Sequence, residues 1–169
     1  MNNAQLINQD SGIQEYYTPP RFIEAARAVM GYISLDPASS EAANRIVQAR
    51  YIFTRDDDGL TKRWFGNVWL NHPYGRKENR LWISKLVDEY IEERVHEAIG
   101  ICFASTSEKW IRPLMIGTVC FVRGRVKFLK PDLSEAGAST KGSMIYYLGD
   151  RSSVFADHFR QFGEVKISI

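Results

Sequence analysis

An α/β fold, a mainly parallel sheet with helices on both faces, is predicted by three observations. Helix-like and strand-like stretches alternate along most of the chain. The alternation then gives way to consecutive strands, and a closing antiparallel pair makes the sheet mixed. Polar residues fall at or just past the ends of predicted strands: Asp36, the Asp56–Asp58 turn, Asn71 and Ser105. In sheets of this kind ligands bind outside the carboxyl ends of the strands.

The elements follow in order. Thr18-Pro19-Pro20 reads as a helix start, with Thr18 able to cap and prolines tolerated in the first turn. The spacing of Phe22, Ile23, Ala26, Val29 and Met30 carries that helix to Gly31. Tyr32-Ile33-Ser34-Leu35 is a short strand ended by Asp36-Pro37, and Ser39 or Ser40 caps a helix over residues 41–49. Tyr51-Ile52-Phe53-Thr54 is a strand before the acidic turn, and Val68-Trp69-Leu70 is another. Residues 78–97 have helical period, with Leu81, Trp82, Leu86, Tyr90 and Ile91 on an apolar face. Residues 98–103 form a strand, 108–116 a short helix, and 118–122, 126–129 and 143–148 strands, with a loop over 130–141.

Composition bounds the class. A chain of 169 residues with 44% hydrophobic and 25% charged residues is an ordinary single globular domain. No stretch is long and apolar enough to span a bilayer, and the polar N-terminus lacks a secretory core, so a cytoplasmic protein is expected. Residues 1–12 are expected to be a flexible tail and 13–169 one domain. Cys102 and Cys120 sit in apolar runs and read as buried, reduced strand residues. His72, His96 and His158 are scattered, and no Cys/His spacing fits zinc, so no metal is expected. The net charge of +2 says nothing about nucleic acid, but Arg76, Lys77 and Arg80, and Arg123, Arg125, Lys127 and Lys130, form local clusters. Such clusters either contact phosphates or are solvated faces.

Asn71-His72-Pro73-Tyr74, at the end of the Val68-Trp69-Leu70 run, carries the most chemical information. Asn71 offers a carbonyl oxygen, the His72 backbone a second acceptor, and Tyr74 a stacking face. Two acceptors and one aromatic plate suit an exocyclic amino group on a purine or pyrimidine. A bare strand-to-turn junction uses the same residue types for backbone reasons.

Taken in order, five segments resemble the phage-type DNA N-6-adenine methyltransferase (Dam) family: Tyr16-Tyr17-Thr18-Pro19-Pro20, Leu35-Asp36-Pro37-Ala38-Ser39-Ser40, Asp57-Asp58-Gly59-Leu60, Asn71-His72-Pro73-Tyr74 and Gly124-Arg125-Val126-Lys127-Phe128. The resemblance spans residues 14–149. It implies a Rossmann-like, S-adenosylmethionine-dependent methyltransferase fold, double-stranded DNA as substrate, adenine N6 as acceptor, and phage or prophage origin in a bacterial cytoplasm. It further implies that Tyr17, Thr18 and Pro19, with Asp36, Pro37, Ala38 and Ser39, hold the cofactor, and that Asn71, His72, Pro73 and Tyr74 hold the adenine. Asp36 suits the ammonium of the donor's amino-acid tail. Asp57 or Asp58 suits its ribose or adenine, Asp58 matching the family better. Arg76, Lys77, Arg123 and Arg125 suit the DNA backbone, although the Arg123–Arg125 hairpin is also what a charge-protected sheet edge looks like.

The family motif D/N-P-P-Y/F has proline where this chain has His72. The histidine either lends only its backbone carbonyl or adds an imidazole near the cofactor or a phosphate. Two other functions remain open on sequence alone: methyl transfer to RNA or a protein glutamine, and a DNA- or cofactor-binding protein that has lost catalysis.

Overall fold

The computed structural model describes residues 15–167; the expected tail at 1–12 lies outside them. Helix α1 (Pro20–Met30) leads to strand β1 (Leu35–Asp36), helix α2 (Glu41–Val47) and strand β2 (Tyr51–Ile52). Strand β3 (Gly66–Leu70), helix α3 (Arg76–Ile91) and strand β4 (Val95–Phe103) follow. Strands β5 (Thr118–Val122) and β6 (Ser143–Leu148), helix α4 (Ser152–Phe159) and strand β7 (Gly163–Lys166) complete the chain. Single 3-10 segments cover Gly59–Thr61 and Lys109–Ile116.

The strands form one mixed sheet in the order β2-β1-β3-β4-β6-β5-β7. Strands β2, β1, β3 and β4 are parallel, and β6 runs antiparallel between β4 and β5, with β7 antiparallel on β5. Side chains alternate across the sheet and feed two cores. Trp69, Ile99, Ile101, Cys120, Ile145 and Tyr147 pack on the face covered by α1, α2 and α4. Val68, Leu70, Ala98, Cys102, Met144 and Tyr146 pack on the face covered by α3 and the 3-10 segment at Lys109–Ile116. A Cβ at Gly100 would lie 2.2 Å from the Tyr146 hydroxyl and 2.6 Å from the Leu70 carbonyl, so β4 crosses that layer only with glycine there. Both cysteines are buried free thiols, as expected.

Several expectations shift. The first strand is Leu35–Asp36, not residues 32–35, so Asp36 belongs to the strand instead of ending it from outside. The third helix stops at Ile91: Glu93 takes a left-handed turn (φ 59°), which frees Val95 to enter the sheet and be buried. The charged run there continues a helical pattern, but the sheet claims Val95. Residues 126–129 form no strand; Leu129 makes only isolated bridges, to Tyr17 and Glu135. Thr18 does not cap α1, whose N-cap is Pro19, without a side-chain hydrogen bond. Ser40 does cap α2, accepting from the Ala43 N–H at 3.1 Å. The expected helix over 108–116 is 3-10. Helix α4 and strand β7 were not anticipated at all.

Near the amino ends of the strands, buried Glu89 pairs with Lys85 at 2.6 Å and with Arg94. Glu97 accepts from the Tyr147 hydroxyl at 2.7 Å and pairs with Arg151. Both carboxylates are committed to tying helices and strands together, far from the carboxyl ends.

Candidate active site

Because β1 to β4 are parallel, their carboxyl ends share one edge of the sheet. Asp36 closes β1, the Asp56–Asp58 turn follows β2, and Asn71 follows β3. The β1 and β2 ends are sewn together: the Phe53 N–H donates to the Asp36 carbonyl at 3.0 Å and the Ser39 N–H to the Phe53 carbonyl at 2.9 Å. Gly59 presses against the same loop. A Cβ there would lie 2.0 Å from the Pro37 carbonyl oxygen, so only glycine brings Asp58 beside Asp36-Pro37-Ala38. The Trp64 indole N–H, donating to the Gly59 carbonyl at 2.7 Å, holds that approach.

Asp36 is 3% exposed. Its Oδ1 accepts from the Ala38 N–H at 3.2 Å. Burial pushes its carboxyl up to about 7, against the pull of the Ser39 hydroxyl and the Ala38 N–H. Among the described residues it is in no ion pair. A buried acid that is not neutralised by a protein cation fits a ligand bearing one, because burial without a partner penalises its charged form. Ala38 and Ser39 are half-buried beside it, and Pro37 is buried.

Across from this loop lies the segment before α1. Tyr17 exchanges two 2.8 Å main-chain hydrogen bonds with Leu129. Its hydroxyl accepts from Ser40 Oγ at 3.2 Å and donates to Glu15 at 3.1 Å. Thr18 is buried and its Oγ1 has no partner among the described residues, an orphaned polar atom of the kind a bound ligand satisfies. Pro19 is buried as well. The two aspartates differ: Asp57 Oδ2 accepts from both the N–H and the hydroxyl of Thr54 at 2.8 Å, which holds its carboxyl below the usual range, whereas Asp58 is exposed with a left-handed backbone (φ 51°). Asp57 is committed to the turn through Thr54, whereas the Asp58 side chain faces solvent.

At the end of β3 the Asn71 amide donates from Nδ2 to the Tyr16 carbonyl at 3.0 Å. The amide is thereby oriented, with Nδ2 committed and Oδ1 left as acceptor. His72 turns inward. It is 2% exposed, and its Nε2 bonds Asn79 Oδ1 of α3 at 2.8 Å. Burial pushes its imidazole down to about 4, so the ring is neutral, and Nδ1 is buried without a partner among the described residues. Of the two roles open to it, an imidazole facing the site is not what the geometry provides. Pro73 is exposed. Tyr74 is half-buried: its hydroxyl donates to the Ile101 carbonyl at 3.2 Å, and its ring leans on Phe103 (4.5 Å between centroids) and Phe128 (6.2 Å).

Arg76 and Lys77 project from the first turn of α3, directly after the Asn71–Tyr74 turn. Arg123 and Arg125 are exposed around Gly124 (φ 74°), with Arg123 3.4 Å from Glu164. Three neighbours escaped the sequence reading. Asn79 and Phe103 lie in helix and strand patterns that mark them as packing residues. Tyr16 takes part through a backbone carbonyl, which no side-chain pattern reveals.

The model of the DNA N-6-adenine-methyltransferase (Dam) family matches residues 8–156. The chain belongs to that family. Membership makes it a DNA adenine-N6 methyltransferase in general, with DNA as substrate and a methyl donor required. No curated protein matches the chain significantly. Among the described residues, no helix is long and apolar enough to cross a membrane, and no cluster of His, Cys, Asp and Glu would hold a metal ion. The mixed seven-stranded sheet agrees with the methyltransferase-like fold expected of a Dam member.

Proposed function

We propose that this Dam-family member transfers a methyl group from S-adenosylmethionine to N6 of an adenine extruded from duplex DNA. The observation that carries the reading is the orientation of Asn71: its Nδ2 is committed to Tyr16, so its Oδ1 serves as acceptor at a strand end beside Tyr74. S-adenosylmethionine, when bound, supplies the activated methyl group. Asp36 would take the ammonium of its amino-acid tail. Ala38 and Ser39 would flank that tail, Thr18 Oγ1 would find its missing partner, and Asp58 would reach the ribose or adenine. Tyr17, Pro19 and Pro37 shape the wall.

The N6 lone pair of adenine is delocalised into the ring and is a weak nucleophile. Hydrogen bonds from the two N6 hydrogens to Asn71 Oδ1 and the His72 carbonyl draw the nitrogen toward tetrahedral geometry and stabilise the positive charge that develops in transfer. Asn71 is no base, because an amide does not take a proton near neutral pH. The surplus proton leaves to water. Extruding the base costs a few kcal/mol, and stacking on Tyr74 offsets about 1–3 kcal/mol of it. Arg76 and Lys77, close to the turn, and Arg123 and Arg125 would meet phosphates.

The inward turn of His72 supports a backbone-only role for that residue and weakens the case for a non-catalytic binder, which rested on the missing proline. Methylation of RNA or protein glutamine finds no separate support in the site. The ordered phage-type motifs support an enzyme of phage or prophage acting in the bacterial cytoplasm.

The test is transfer of labelled methyl from S-adenosylmethionine to unmethylated duplex DNA, followed by nucleoside mass spectrometry. Wild type yields N6-methyladenine. Asn71→Ala yields none while still binding the donor. An unmodified product pool with the donor bound would reject the reading.

A further inference from the structure

Asn71 makes its hydrogen bond to a part of the chain distant in sequence, and that part is fixed. The segment carrying Tyr16 is pinned by the paired 2.8 Å main-chain bonds between Tyr17 and Leu129 and by the Tyr17 hydroxyl against Ser40 Oγ at 3.2 Å. The Tyr16 carbonyl therefore stands at a set position, 3.0 Å from Asn71 Nδ2. A carbonyl only accepts. Whatever faces it must donate.

We infer that the Tyr16 main-chain carbonyl is a positioning group for methyl transfer, which sets the amide of Asn71 and makes this site require an amide, not a carboxylate, at position 71. The inference rests on the reading of Asn71 as the adenine acceptor. The motif this turn resembles admits Asp or Asn at its first position; here the carbonyl makes the choice. An amide rotated by half a turn would set Oδ1 against the Tyr16 oxygen, two acceptors face to face, so one orientation is selected before substrate arrives. An ionised carboxylate directed at the Tyr16 carbonyl meets it with an acceptor whichever oxygen faces it. Only when protonated does an acid at 71 reproduce the pattern, its O–H donating to Tyr16 and its other oxygen accepting from N6.

The test compares wild type with Asn71→Asp by two readouts. The first is the melting temperature of the ligand-free proteins against pH. A carboxyl facing the carbonyl has a folded pKa above its unfolded value, so the folded state gains from the proton at low pH and loses that gain as pH rises through the folded pKa. The deficit of Asn71→Asp relative to wild type is therefore expected to grow from pH 5 to pH 8. The second is methyl transfer at saturating donor. Asn71→Asp should fall about 100-fold below wild type at pH 8, the scale of a misplaced reacting group, with the ratio recovering toward low pH. An aspartate variant within a few-fold of wild type at pH 8, with a ratio independent of pH, overturns the proposal, as does a flat melting difference. If wild type itself makes no N6-methyladenine, the reaction assigned above fails, while the melting comparison still decides the Tyr16–Asn71 contact. If Asn71→Asp does not fold at either pH, hydrogen exchange of the Asn71 side-chain amide in labelled wild type decides instead: slowed exchange supports the bond, and exchange as fast as an exposed amide overturns it.

Discussion

The site's electrostatics turn on one residue, Asp36. Its carboxyl is buried, in no ion pair among the described residues, and raised to about 7, above its ordinary value. The ligand-free fold thus binds a proton that the unfolded chain releases. This contribution to stability is present at low pH and is lost as pH rises from about 4 to about 7. On the proposed reading, binding the donor's ammonium reverses the preference, because a cation is held by the ionised carboxylate. The affinity for S-adenosylmethionine should therefore rise with pH between about 5.5 and 7, by up to about tenfold per pH unit, over a range in which an α-amino group stays protonated. Asp36→Asn should bind more weakly and without that slope. Calorimetric titration at several pH values checks both, and a flat wild-type profile would remove Asp36 from the ammonium site.

At the scale of elements, the turn after β3 is locked to α3 through His72 and Asn79. Replacing His72 by proline returns the turn to the family pattern and pushes Asn71 toward extended backbone, so kcat should be unchanged or higher. Stability should fall by about 1–3 kcal/mol, because Asn79 Oδ1 is left buried and unsatisfied. Asn79→Leu in the same background should recover much of the loss. His72 has its folded pKa depressed to about 4, so its contribution is present above about 6.5 and lost as pH falls toward 4. The difference in denaturation midpoint between wild type and His72→Pro should shrink over that range, and a difference that stays constant would show that the imidazole is not neutral and buried. The same scale shows what was legible in advance. Strand ends bearing Asp36 and Asn71 could be read because apolar runs stop there and polar residues begin. The bond from Asn71 to Tyr16 could not, since its acceptor is main chain and its partners are joined only by the fold. Val126 to Leu129 looked like a strand because Val126 and Phe128 alternate, and both are indeed buried, but their backbone finds no continuous partner.

For the whole molecule, the unanticipated C-terminal elements matter most. Phe155 and Phe159, four apart on α4, stack at 4.3 Å, and Phe155 stacks on Tyr147 of β6 at 5.4 Å. Their spacing is a helical signal, visible in the sequence but short. The Cys120 thiol donates to the Phe159 carbonyl at 3.5 Å, tying α4 to β5. Phe159→Ala should cost about 3–5 kcal/mol in urea denaturation, the range for emptying a fully buried aromatic site. It should leave methyl transfer per folded molecule intact, because its direct partners, Phe155, Phe162 and Cys120, are not among the candidate site residues. A cost below about 1 kcal/mol would mean that α4 is an ornament on the sheet and not part of its core.

The pairing of Tyr17 with Leu129 also sets an order in time. A domain folds as a unit, and here the pairing that anchors the segment ahead of α1 forms only once Leu129, beyond β5, has emerged. A nascent chain stopped after β4 would contain Asn71 but lack Leu129, the anchor for the segment that carries the Tyr16 carbonyl. The set position of the Tyr16 carbonyl against Asn71 is thus reached only after residue 129 has been made.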